Sequence, residues 1–195
     1  IEEGVEIVAS QTPRNDRKKT ILILGLLLII VFSSITIYRN RYFEDKISFW
    51  TNAAATSPNF AFNRNNLGAM YYLDGKYDLA EKEFRRALEI NPQEKLSHNN
   101  LGLIYAGRGD FENAIKEYEA ELKLNPIYGN AFYNLGLAYW NIGKKEEAVK
   151  KWEEAISVNP DYFDAYKTLI VFYRESGQKD FADKLLSELQ RRGGL

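Results

Sequence analysis

Two hydrophobic patterns divide the chain. Ile21 to Tyr38 (ILILGLLLIIVFSSITIY) is an 18-residue run without a charged side chain. As a helix it would rise about 27 Å, close to the hydrocarbon thickness of a bilayer. A core helix would keep a polar stripe. A signal peptide's apolar stretch is shorter and ends in small residues, whereas this run ends in Tyr38-Arg39-Asn40-Arg41. The pattern therefore predicts a transmembrane helix over 21–38. The hydroxyls of Ser33, Ser34 and Thr36 are expected to return to the helix backbone. After Arg41 the pattern changes to apolar residues three and four apart, with charges between them. Leu67 and Tyr71, then Ala80, Phe84 and Ala87, each share one face of an amphipathic helix.

The second pattern repeats with a constant stride. Pro58, Pro92, Pro126 and Pro160 stand 34 residues apart. The pairs Leu67-Gly68, Leu101-Gly102 and Leu135-Gly136 keep the same step. So do Tyr71, Tyr105, Tyr139 and Tyr173; Gly75, Gly109, Gly143 and Gly177; and Ala80, Ala114, Ala148 and Ala182. Each column has a physical job. Gly75 ends a first helix, because glycine accepts the left-handed conformation past a C-terminus. Gly68 and Ala80 lack bulk, so two helices can approach closely while Tyr71 and Phe84 fill the space beside them. Asn91-Pro92 ends the second helix, since proline disfavours helix in the residue before it. Each unit is then a helical hairpin, and stacking buries what one hairpin cannot.

NLGAMYYLDGKYDLAEKEFRRALEINP, NLGLIYAGRGDFENAIKEYEAELKLNP and NLGLAYWNIGKKEEAVKKWEEAISVNP resemble the tetratricopeptide repeat, a two-helix, 34-residue unit. The resemblance implies an all-α, right-handed solenoid, with units near 61–94, 95–128, 129–162 and 163–195 of a repeat domain over 59–195. The last unit departs from the pattern. Ile170 replaces its glycine, and Leu186 and Leu189 replace the later aromatic and alanine, which suits a terminal cap. The period also runs backwards: Trp50, Ala53 and Pro58 precede Phe84, Ala87 and Pro92 by 34. Residues 39–58 are thus expected to form a half-repeat capping helix directly after the span. Glu121 stands where the other units have Ala87 and Ala155. A charge there is costly unless it reaches water, so Glu121 is expected to snorkel, with locally looser packing as the alternative.

Composition narrows the chemistry. The 26 Lys plus Arg offset 27 Asp plus Glu, giving a net charge of −1 without the basic footprint of a nucleic-acid binder. With no cysteine there is no disulfide, thiolate ligand or Cys nucleophile. His98, the only histidine, cannot make a metal site alone and is expected to pack or cap. No Gly-rich phosphate loop, Ser-His-Asp set or HExxH occurs. No cofactor, metal or catalytic residue is expected.

Binding is the remaining class. At about 100° per residue, Asn66 points some 150° from the packing face of the first helix, as do Asn100 and Asn134. An amide there can donate and accept, matching a peptide unit. In tetratricopeptide solenoids this helix lines the concave groove, and the series resembles the asparagine ladder of O-linked N-acetylglucosamine transferase. Solvated asparagines common before Leu-Gly in this family are the alternative. Further groove candidates are Phe62, Asn65, Asn99, Tyr133, Leu137, Trp140 and Lys167. Tyr133 and Trp140 would serve either as interface anchors or as packing against the next hairpin.

Arg14, Arg17, Lys18 and Lys19 precede the span, against Arg39 and Arg41 after it, and Lys46 narrows the difference. This asymmetry favours a cytoplasmic flank over residues 1–20 and an extracytoplasmic repeat domain. The expected function is a non-catalytic, single-span scaffold binding a protein or peptide segment. The junction YRNRYFEDKISFWTNAAATSPNFAFNRNNLG also resembles polytopic membrane proteins with C-terminal repeats, the transmembrane-and-tetratricopeptide-repeat O-mannosyltransferases among them. That resemblance implies an alternative, the exported substrate-holding tail of a glycosyltransferase whose catalytic carboxylates lie elsewhere. A chain starting at Ile1 suits a processed or partial sequence. A cytoplasmic-facing tether is the third reading.

Overall fold

A computed structural model describes residues 14–194, so most of the predicted 1–20 flank lies outside the described residues. The described residues form nine α-helices and no strand. These are α1 (Arg14–Thr56), α2 (Ala61–Leu73), α3 (Tyr77–Ile90), α4 (Ser97–Gly107), α5 (Phe111–Leu124), α6 (Gly129–Asn141), α7 (Lys145–Val158), α8 (Phe163–Glu175) and α9 (Lys179–Arg191). The chain divides between Lys46 and Ile47 into two units.

In the first unit, Lys19–Tyr38 is long and apolar enough to cross a membrane, with a mean hydropathy of 2.8 and none of its length buried. Ser34 Oγ donates to Ile30 O and Thr36 Oγ1 to Phe32 O, each at 2.8 Å, so two of the three hydroxyls return to the helix backbone as expected. The predicted capping segment is not a separate helix. α1 runs unbroken to Thr56, because Arg39–Arg41 contains neither glycine nor proline, and it stops just before Ser57-Pro58.

The second unit is a series of hairpins, α2–α3, α4–α5, α6–α7 and α8–α9, with each helix packed on the next. Gly75, Gly109, Gly143 and Gly177 close the four turns with φ between 77° and 81°, which side-chain-bearing residues rarely adopt. Within a hairpin the aromatic lies directly over the glycine. A Cβ on Gly68 would meet the Phe84 ring at 2.7 Å, and Gly102 and Gly136 sit closer still to Tyr118 and Trp152. In the last hairpin the bulk changes sides: Ile170 fills the glycine position and Leu186 the aromatic one, within a cluster of Tyr166, Ala182 and Leu189. The end of α1 serves as the half-repeat. Ala54 is buried, and Asn63 Nδ2 donates to Ala53 O at 3.0 Å.

The second repeat departs from the period. α2, α6 and α8 start in register, but α4 starts at Ser97, two residues late. Leu96 before it is left-handed, with φ 70°. The cause is Glu121, which does not snorkel but is fully buried. Its two carboxylate oxygens accept Leu96 N–H at 3.2 Å and Asn99 N–H at 3.3 Å, capping the α4 N-terminus from α5. A carboxylate is stabilised there by free amide hydrogens and by the helix dipole.

Candidate binding face

α2, α4, α6 and α8 form one layer of the stack. α4 packs directly on α6, an approach that α5 and α7 do not match, so the first helices make the inner layer. Hydrogen bonds hold that layer in register. Asn100 Nδ2 donates to Asn65 Oδ1 at 3.3 Å, and Asn134 Nδ2 to Asn99 Oδ1 at 3.2 Å. One repeat later Tyr133 Oη and Thr168 Oγ1 meet at 3.3 Å. These three rungs join α2 to α4, α4 to α6 and α6 to α8, always between equivalent positions.

The rungs sort the predicted residues. Asn65 and Asn99 are buried and cannot be groove surface, which corrects their assignment. They accept for the neighbouring helix, and Asn65 also accepts from Ser97 Oγ at 3.0 Å. Asn66, Asn100 and Asn134 are half-buried along one line of the inner layer. Their amide nitrogens are engaged, Asn66 through Phe62 O at 2.7 Å on its own helix. Their Oδ1 atoms accept no hydrogen bond from the described residues. Tyr133 is a packing residue, its ring 5.3 Å from that of Tyr162 and its carbonyl accepting from Trp152 Nε1 at 3.3 Å. Phe62 is exposed.

Leu137, Trp140 and Lys167 come together around a pocket of about 380 Å³ between α6 and α8. Its other walls are Trp152, Thr168, Val171, Phe172 and Glu175. Trp140 both lines this pocket and packs, 5.7 Å from the Trp152 ring and 5.9 Å from Phe172 edge-on. Thr168 and Val171 were findable in the sequence, since they stand 34 residues after Asn134 and Leu137. His98 is half-buried, its Nδ1 2.7 Å from Glu117 Oε2 on α5.

A second set of braces joins each first helix to the second helix of the preceding repeat. Tyr139 Oη donates to Glu119 and Tyr173 Oη to Glu153, both at 2.9 Å, while Tyr105 accepts from Arg85. Burial, reinforced by the accepting carboxylates, raises both Tyr139 and Tyr173 to about 12.

Comparison with known proteins agrees with this geometry. Two family models, each described as a tetratricopeptide repeat, match this chain, one over residues 59–124 and the other over 99–161 and 133–182. No curated protein matches. Among solved structures, a crystal structure of MamA is 23% identical, covers 78% of this chain and 89% of its own, and superposes with a TM-score of 0.68. MamA from Desulfovibrio magneticus RS-1, residue 41 to the end, is 18% identical, with 80% and 88% covered and a TM-score of 0.67. At such identities the likeness is one of fold. The family matches together span more than half of the sequence, and the chain belongs to the tetratricopeptide repeat family.

Proposed function

We propose that this protein is a membrane-anchored, non-catalytic scaffold whose inner helix layer holds an extended segment of a partner protein. The observation that carries this reading is the line of half-buried Asn66, Asn100 and Asn134, whose carbonyl oxygens have no acceptor role inside the stack. Packed helices lie about 8–10 Å apart, and an extended chain advances about 3.3–3.6 Å per residue. Each amide therefore serves about three residues of a bound segment. The length and apolar character of Lys19–Tyr38 support the anchor, and the excess of basic residues before it favours an extracytoplasmic repeat domain.

The test compares partners captured by the full chain in native membranes with those captured by the Asn66→Ala, Asn100→Ala, Asn134→Ala variant, quantified by mass spectrometry. Asn66→Ala alone is the cleaner probe, because that amide bonds only within its own helix. Capture is expected to fall several-fold in both. An unchanged set of partners would refute the groove. Carbonate extraction tests the anchor, and protease protection in sealed vesicles tests the side.

A further inference from the structure

The pocket between α6 and α8 is polar at its ends and apolar in between. Leu137 and Val171 stand exposed on its rims, and Trp140, Trp152 and Phe172 form its aromatic lining. Lys167 and Glu175 border the same pocket from α8. Both are exposed, and neither has an ion-pair partner among the described residues. They are eight residues apart with Val171 midway, so their Cα atoms lie about 12 Å apart along one stripe of the helix. An apolar trough thus carries an unpaired cation near one end and an unpaired anion near the other.

We propose that this trough is the specificity pocket of the groove, and that it selects a segment with one bulky apolar side chain flanked by opposite charges. The inference rests on the groove reading above and adds the chemistry of the occupant. Residues two before and two after a central residue are about 13–14 Å apart in an extended chain, which matches the separation along α8. An acidic residue then meets Lys167, a basic one meets Glu175, and an aromatic or aliphatic side chain enters between Leu137 and Val171 beside Trp140, whose ring carries Lys145 Nζ 5.1 Å from its centroid. Exposed charge pairs contribute little affinity but discriminate against like charges. Burial of the central side chain supplies the affinity, and the charges set the choice.

The test uses full-length chain in lipid nanodiscs and four fluorescein-labelled nine-residue peptides, read by anisotropy. One has central Phe with Glu two residues before and Lys two after. The second has Glu at both flanks, the third Lys at both, and the fourth is the first with Ser for Phe. The mixed-charge Phe peptide is expected to bind at least fivefold more tightly than the other three. Lys167→Glu should transfer the preference to the two-lysine peptide, and Glu175→Lys to the two-glutamate peptide. Equal binding of the three Phe peptides would overturn the charge assignment and leave the groove standing. No binding by any peptide, with partner capture still lost in Asn66→Ala, would overturn the pocket alone. No binding by any peptide, together with unchanged partner capture in Asn66→Ala, would refute both.

Discussion

Glu121 shows how one residue reshapes its surroundings. The sequence marks it as anomalous, because its column otherwise holds alanine, but the choice between snorkelling and burial depends on what lies opposite. What lies opposite is a helix start with unsatisfied amides, and those amides are a better partner than distant water. Glu121→Ala should therefore cost about 2–3 kcal/mol, the penalty of stranding buried donors. Glu121→Gln, which keeps one acceptor oxygen, should cost less. Urea unfolding of both variants checks the order. Tyrosines give a second prediction at this scale. Tyr139 and Tyr173 lose their protons near the ordinary value of 10.0 when unfolded but near 12 when folded. Above pH 10 the unfolded chain ionises first, so their contribution is intact below pH 10 and fades as the pH rises to 12. Melting temperature should fall across that window, and less steeply in Tyr139→Phe, Tyr173→Phe, as circular dichroism would record.

At the scale of helices and hairpins, small residues and their large partners were legible from spacing alone. Gly68, Gly102 and Gly136 recur at a fixed offset from Phe84, Tyr118 and Trp152, and the structure seats each ring on its glycine. Gly102→Leu should overpack α4 against α5 and cost about 1–3 kcal/mol, visible as a lower melting temperature. The amides were only half legible. Helical angles place Asn66, Asn100 and Asn134 away from their own hairpin, and the three are half-buried. Angles on a single helix could not show the next helix along, to which Asn100 and Asn134 donate. Asn134→Ala should therefore lose about 1 kcal/mol of stability, whereas Asn66→Ala should lose less, as paired denaturant titrations would show. Asn65 and Asn99 were misplaced for the same reason. α4's late start leaves no mark in the local pattern because it arises from a partner 25 residues downstream of Leu96.

For the molecule as a whole, the fold was open to reading because a 34-residue stride leaves little freedom: four hairpins and a half-repeat follow from columns of proline, glycine and alanine. The continuous α1 was less evident, since two differently patterned stretches looked like two elements. What a binding face selects is harder to see than where it lies, because the walls of the α6–α8 pocket come from three helices and only the fold gathers them. The rungs between consecutive inner helices bear on how such an array can grow or shrink. Every rung takes a donor or acceptor from one copy and its mate from the adjoining copy, in the same register each time. Excising one complete internal copy brings equivalent partners face to face again, while removing a fraction of one misaligns a joint on either side. Viable length variants should accordingly differ by multiples of thirty-four residues.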